Sequence, residues 1–258
     1  MKRACVLVVL LMVGCGSIER PEMDATLASL SATLPSSVVY PRGGRTKELA
    51  ELDPRSGERV GTLEREVFAA DADGRFETVL VVTEPEPSDG PVLITRLVRA
   101  TDGSVALREV ESAKDEQRGG PRRVFFYDPP LVLMPATLSA GETYSSEAEI
   151  SERDPDDTAR VRSRGRVTRQ IRAMTAAELA ERFPVRSGDL PGAIGTIERL
   201  TVELAPAKVD RTTWSLLDPA VGIVEEIRQE QLRVFGIGPA PDETRRALVS
   251  QIENQVEN

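Results

Sequence analysis

Few side chains in this sequence could do chemistry, because the chain has no histidine and only two cysteines, Cys5 and Cys15. Histidine is the usual general base near neutral pH and the commonest metal ligand, so histidine-dependent triads are excluded. Carboxylate catalysis remains, as does a Ser/Lys pair using Lys47, Lys114 or Lys208. No motif supports either, and we predict no catalytic residue, no enzymatic activity and no cofactor.

Oxygen ligands could still hold calcium, and Asp154, Asp156 and Asp157 form the acidic group best suited to it. A calcium loop, however, adds a glycine and a distal bidentate carboxylate at loop spacing, and neither is present. The favoured interpretation is a hairpin turn, since Asp and Pro are typical turn residues. We therefore predict no metal site.

Cys15 follows a segment that resembles the signal sequence of bacterial lipoproteins. Lys2 and Arg3 precede an apolar run too short to span a bilayer, and small residues flank the cleavage point. The cysteine of such proteins carries a diacylglycerol thioether, and Met12 stands where leucine is usual. The resemblance implies a signal peptide over residues 1–14 and a lipidated cysteine with its tether over residues 15–20. An ordinary cleaved signal and an uncleaved anchor are the alternatives.

Processing before Cys15 predicts a protein anchored to a membrane of the bacterial cell envelope and facing the periplasm. The mature chain has no second cysteine, which excludes thiol catalysis and His/Cys zinc sites. Gly16 is not the Asp that marks inner-membrane retention in enteric bacteria, which favours the outer membrane. Loss of Lys2 and Arg3 takes the formal net charge from −9 to −11. We do not expect so acidic a chain to bind nucleic acid.

Residues 21–258 form one predicted β-rich domain with a helix near each end. The N-terminal helix runs from Pro21 to Leu34, and its apolar spacing is that of a helix covering an apolar surface. The C-terminal helix runs from Pro241 to Val256, and Thr175 to Arg182 predicts a third, short helix. The leucines of the first helix that would face the domain are Leu27, Leu30 and Leu34.

Short β-rich runs separated by turn residues predict antiparallel sheet between these helices. A four-strand meander is expected over Glu58 to Asp71, Arg75 to Thr83, Val92 to Ala100 and Val105 to Glu111. Further along, Glu147 to Arg153 should fold onto Arg160 to Arg166. A simple register places Glu147 opposite Arg166 and Glu149 opposite Arg164. The arginines Arg160, Arg162, Arg164 and Arg166 then share one face, which we interpret as solvated rather than as an anion-binding stripe.

Part of the sequence resembles uncharacterised periplasmic domains that are similar to the lipoprotein-carrier half-barrel. The resemblance spans Arg122 to Phe235 and rests on three groups of residues, of which the last includes the single tryptophan. They are Tyr127-Asp128-Pro129-Pro130-Leu131, then Met134-Pro135, Leu138, Gly141 and Tyr144, and finally Trp214 with Val221-Gly222-Ile223-Val224. The Pro-Ala-Gly segment usual in that family is missing, and an insertion from Thr175 to Gly195 occupies its region. The resemblance implies a curved antiparallel sheet around an apolar cavity.

The sequence therefore predicts a mainly β protein, a curved antiparallel sheet or half-barrel with short helices. Its predicted function is non-enzymatic binding of an apolar ligand, a lipid or acyl chain, in the concave face of the sheet. A structural or assembly lipoprotein that contacts other envelope proteins is the alternative. The residues expected to line the cavity are Trp214, Phe125, Phe126 and Tyr127, with Leu27, Leu30 and Leu34 covering its mouth.

Overall fold

The computed structural model describes residues 33–42, 44–85, 87–88, 90–112, 122–139, 141–184, 190 and 192–253. Two helices and fourteen strands are formed in this part of the chain. In chain order they are β1 (Leu34–Pro35), α1 (Ser36–Val39), β2 (Arg45–Leu52), β3 (Arg59–Val67), β4 (Arg75–Glu84), β5 (Leu93–Arg99), β6 (Val105–Ser112), β7 (Arg123–Met134), β8 (Thr137–Leu138), β9 (Thr143–Arg153), β10 (Val161–Ala173), α2 (Ala176–Arg182), β11 (Ile194–Leu204), β12 (Ala207–Asp218), β13 (Gly222–Val234) and β14 (Asp242–Glu253).

Twelve of the strands form one closed antiparallel barrel. Each long strand pairs with the next one along the chain, and β14 returns to pair with β2. The short strands β1 and β8 stay outside this cycle and pair with each other. The prediction of a mainly antiparallel β protein is confirmed, but the sheet closes on itself instead of ending as a half-barrel. Closure removes the two unpaired edges that a half-barrel would expose.

The C-terminal segment is the strand that closes the barrel, so the predicted C-terminal helix is wrong over residues 242–253. Ala247 pairs with Glu225 on one side and with Ala50 on the other. A helix here would leave the backbone donors and acceptors of β13 and β2 without these partners. The helical spacing of four apolar residues is therefore outweighed by the backbone hydrogen bonds that β14 forms with the strands on both of its sides. Residues 254–256 of the predicted helix lie outside the described residues.

The other predicted elements have mixed outcomes. The meander is present as β3 to β6, close to its predicted bounds. The short helix is present as α2, where Thr175 and Glu178 form a capping box at its first turn. Most of the predicted N-terminal helix lies outside the described residues, and its last residue, Leu34, belongs to β1 and is buried in the core.

The β9–β10 hairpin forms in a register two residues away from the predicted one. Arg166 lies opposite Glu149, Arg164 opposite Ser151, and Glu147 opposite Thr168. The pairing register shifts at the start of β10, between Val161 and Ser163, so the register differs from the one that counting outwards from the turn predicts. An even shift preserves the faces, and the four arginines of this hairpin are all exposed, in agreement with the solvated interpretation.

Candidate functional site

The inner face of the barrel is divided into an apolar part and a charged part. Alternation along each strand places every second side chain inside, and the pairing register carries this assignment from strand to strand. The main buried cluster lies on this inner face and draws on β3 to β7 and on β9, β10 and β12 of the barrel. It includes Val67, Phe76, Leu97, Leu107 and Val167. The apolar part is concentrated towards one end of the barrel.

That end is crossed by residues 33–42, which we call the plug segment. On one wall, the Tyr40 ring packs edge-on against Phe76 with 6.2 Å between ring centroids. On the opposite side, the carbonyl oxygen of Val38 approaches Gly222 so closely that a Cβ atom there would lie 2.6 Å from it. Gly222 also has φ of +85°, which glycine adopts without strain. The segment is tied down by Arg99, which donates to the Tyr40 carbonyl at 2.5 Å and to the Ser36 hydroxyl at 3.2 Å.

Lys47 lies beside the plug segment and holds the start of β13. Its ammonium donates to the carbonyl oxygens of Val221 at 2.6 Å and Ile223 at 3.5 Å. Burial, together with the nearby charges of Arg65 and Arg45, lowers the pKa of Lys47 to about 8. Through these contacts Lys47 links β2 to the start of β13 at the end of the barrel that the plug segment crosses.

Glu198 is the centre of an ion-pair network on the inner face of β10, β11 and β12. Its carboxylate accepts from Arg169 at 2.6 Å and from Arg211 at 3.3 Å. Burial raises the pKa of Glu198, but the two guanidinium groups outweigh burial and lower that pKa to about 2. Arg169 also donates to the Val132 carbonyl oxygen at 3.2 Å, which ties β10 to β7.

Arg211 is also one of three arginines on adjacent strands, with Arg211 on β12, Arg228 on β13 and Arg246 on β14. The register places all three side chains inside the barrel, because Arg228 pairs with Thr213 and Arg246 pairs with Glu226. We call them the arginine cluster. The buried Nε atom of each finds no hydrogen-bond partner among the described residues. Burial is the largest cause that lowers the pKa of Arg228. The carboxylate of Glu226 acts in the opposite direction, and repulsion from Arg211 and Arg246 lowers the pKa further.

The arginine cluster is only partly buried, although it lies on the inner face of the barrel. Its side chains point inwards yet remain accessible over 27% of their surface for Arg211, 30% for Arg228 and 20% for Arg246. Inward-facing apolar side chains towards the same end are also only half-buried, namely Leu80, Leu93, Val110, Phe125, Val202 and Val209. Barrels of about eight strands are just filled by their side chains, so a twelve-stranded barrel has room for an open space. We call this space the lumen.

Tyr127 also lies on the inner face, close enough to Arg211 for the charge of that guanidinium group to act on the phenol. Burial raises the pKa of the Tyr127 phenol to about 12, and the charge of Arg211 acts in the opposite direction. The pairing of Tyr127 with Ile150, which is buried in the interior, places the ring on the inner face of β7. An aromatic ring and a guanidinium group therefore share one compartment, which can accept both apolar and anionic atoms of a ligand.

The structure brings together two of the predicted lining residues and separates the others. Phe125 and Tyr127 lie on the inner face, whereas Phe126 lies on the outer face beneath Arg153, whose guanidinium carbon is 4.2 Å from the ring centroid. Leu34 belongs to the core of the plugged end. Cys15, Leu27 and Leu30 lie outside the described residues.

Trp214 lies on the outer face of β12 and does not line the lumen. It pairs with Ile227 and packs with Leu216 and Phe183 in a second apolar cluster. The guanidinium of Arg182, at the end of α2, stacks 4.1 Å from the Trp214 ring centroid and pairs with Glu243 at 3.0 Å. Trp214 therefore anchors α2 to the outside of the barrel.

Sequence reasoning missed the arginine cluster and Glu198. The available signal was the alternation of Arg211, Thr213 and Ser215 with Thr212, Trp214 and Leu216 along β12. This pattern identifies a polar and an apolar face, but it does not state which face is inside. The prediction that Trp214 lines the cavity places this apolar face inside, whereas in the structure α2 covers it from outside.

A cleft of about 280 Å³ lies beside β8 and the start of β9. It is lined by Pro135, Thr137, Leu138, Glu142, Thr143 and Tyr144. No group of three or more acidic or cysteine side chains in the described ranges is arranged to hold a metal ion. Asp154 instead accepts the backbone N–H of Asp156 at 3.0 Å within the β9–β10 turn.

Comparison with protein-family models, with curated proteins and with solved structures found no match. The part of the chain that the structure describes contains no helix of the length and apolarity needed to cross a membrane.

Proposed function

We propose that this chain is a lipid-anchored envelope lipoprotein whose barrel takes up an apolar ligand, such as the acyl chain of a lipid, without catalysing a reaction. The observation that carries the proposal is the lumen, where inward-facing apolar side chains stay half-buried. Apolar surface left accessible inside a fold favours an apolar occupant, because each Å² that the occupant covers contributes about 25 cal/mol. The plug segment closes one end, so a ligand enters from the other.

The proposed anchor is Cys15, with residues 15–20 as its tether. The lipid chains of such an anchor bind a bilayer through about 0.8 kcal/mol per buried CH₂ group, and several chains together hold a protein permanently. The proposed location is the periplasmic face of the outer membrane. This assignment rests on the signal-like segment and on Gly16 after the cysteine.

Apolar uptake is tested by titrating the purified mature protein with a pyrene-labelled fatty alcohol, an uncharged probe. We expect saturable binding that Leu80→Gln weakens at least fivefold, since Leu80 faces the lumen. Val81→Gln is the matched control, because Val81 is half-buried on the outer face of the same strand. Unfolding curves of both variants confirm that they remain folded. Absence of saturable binding to the unmodified protein contradicts the proposal.

One observation favours the second candidate function, contact with another envelope protein. Phe235 and Ile237, in the turn between β13 and β14, expose 82% and 81% of their surfaces. Phe235 also adopts a positive φ of 52°, which is uncommon for a bulky residue. A structural or assembly lipoprotein would use such a turn to contact its partner.

A further inference from the structure

We propose that the arginine cluster binds the anionic head group of an acidic lipid, so that the ligand of the barrel is an amphiphile with a carboxylate or phosphate next to its apolar chain. The inference rests on the proposed function, because it assumes that the lumen admits the apolar chain. It adds the chemical class of the ligand and the residues that select it.

The arginine cluster occupies three neighbouring strands at nearly the same height. Arg211 pairs across β12 and β13 with Glu230, next to the pair of Thr213 and Arg228. On the other side of β13, Arg228 pairs with Thr244 and lies two residues from the pair of Glu226 and Arg246. Guanidinium groups this close repel each other, and an anion between them would relieve that repulsion.

Carboxylates of the protein compensate the cluster only in part. Glu198 lies closer to Arg169 than to Arg211, at 2.6 Å against 3.3 Å. Arg246 approaches Glu51 at 3.8 Å, beyond hydrogen-bond distance, and Arg228 meets Glu226 at 3.1 Å. Within the described residues, Arg211 and Arg228 each donate one side-chain hydrogen bond to these carboxylates, which leaves further N–H donors of the cluster for a ligand anion.

The inner face of the strands around the cluster also carries fewer carboxylates than cations. Apart from the first residue of each strand, the described inner-face side chains of β2, β3 and β10–β14 include six cations and four carboxylates. The cations are Lys47, Arg65, Arg169, Arg211, Arg228 and Arg246, and the carboxylates are Glu51, Glu198, Glu226 and Glu230. A protein with formal net charge −9 thus carries a local excess of positive charge inside its barrel.

Apolar side chains lie next to the cluster in the same lumen. Val209 is two residues from Arg211 on β12, and Tyr127 lies on the inner face of β7, within reach of the charge of Arg211. A free inorganic anion would leave these surfaces uncovered, whereas an acidic lipid covers them with its chain. Arginine suits this role, because its planar group forms paired hydrogen bonds with carboxylate and phosphate oxygens.

The test compares two probes of equal chain length, pyrene-labelled hexadecanoic acid and pyrene-labelled hexadecanol, at a pH where the acid is ionised. We expect the mature protein to bind the acid at least tenfold more tightly than the alcohol. Arg228→Gln should reduce this preference to below about threefold and leave the affinity for the alcohol unchanged. Arg233→Gln is the matched control, because Arg233 lies on the outer face of the same strand. Arg246→Gln supplies a second variant if Arg228→Gln does not fold.

The outcomes separate this inference from the proposed function. Equal binding of acid and alcohol, or an unchanged preference in both cluster variants, overturns head-group recognition and leaves apolar uptake intact. Binding of neither probe overturns both. Inorganic phosphate that binds as tightly as the acid probe would make the cluster a site for a free anion and overturn the lipid assignment.

Discussion

The wall formed by β4 to β7 and the wall formed by β11 to β14 carry opposite patterns on their two faces. On β4 to β6 the inner face is apolar, with Phe76 and Leu97, while the outer face carries the ion pairs of Arg96 with Glu77 and Glu109. On β12 to β14 the inner face holds the arginine cluster, and the outer face of β12 and β13 holds Trp214 and Ile227. The barrel thus has one wall of the usual polarity and one inverted wall.

The inverted wall is stable because helix α2 and the residue after it cover its outer apolar face. Phe183 is 1% exposed, and Leu179 and Met174 pack around Gly195 so tightly that a Cβ atom there would lie 2.7 Å from Leu179 and 2.6 Å from Met174. Apolar surface is therefore removed from water on both walls, inside on one and outside on the other. The inversion frees the inner face of β11 to β14 for charged side chains.

Removing Glu198 should have the largest effect, since it tests whether the inverted wall depends on its own ion pairs. Glu198→Gln leaves the buried Arg169 and the half-buried Arg211 without their carboxylate, and we expect a loss of about 3–5 kcal/mol in the free energy of unfolding. The measurement is urea denaturation at neutral pH. Glu203→Gln is the control, because Glu203 meets Lys208 on the exposed outer face of the same strand, and it should change stability by less than about 0.5 kcal/mol. Equal losses in the two variants would contradict the inner-face assignment.

The sequence predicts where the strands lie better than it predicts which face of each strand points into the barrel. Alternation, Gly-containing turns and the Thr175 capping box identify the meander and α2 from local signals alone. Closure depends on β14 meeting β2, a contact between the two ends of the described barrel that no local pattern encodes. The prediction that Trp214 lines a cavity is wrong for a similar reason, since α2 and Phe183 supply its neighbours from elsewhere in the chain.

Acidification should remove the same ion pair without a mutation and with a somewhat smaller effect. The folded-state pKa of Glu198, about 2, lies below the value of about 4.3 expected when the chain is unfolded. A depressed folded pKa contributes stability that is fully present above about pH 5 and is lost as the pH falls towards the folded value. The contribution is about 3 kcal/mol. We expect the stability gap between the unmodified protein and Glu198→Gln to narrow by about this amount between pH 5 and pH 2, as measured by urea unfolding. A gap that stays constant over this range would show that Glu198 does not titrate with a depressed pKa.

The smallest effect is expected on the outer face of the β9–β10 hairpin, where the structure places Glu149 opposite Arg166. Both residues are exposed, so water screens their attraction, and exposed pairs contribute between about 0 and 1 kcal/mol. Exchanging the two charges, with Glu149→Arg and Arg166→Glu together, preserves the pairing and should change the free energy of unfolding by less than about 0.5 kcal/mol. Each single variant, which places like charges opposite each other, should be slightly less stable than the double variant. A loss of several kcal/mol in the double variant would mean that this face is buried, and the hairpin would then share the inverted polarity of its neighbours instead of presenting a solvated surface.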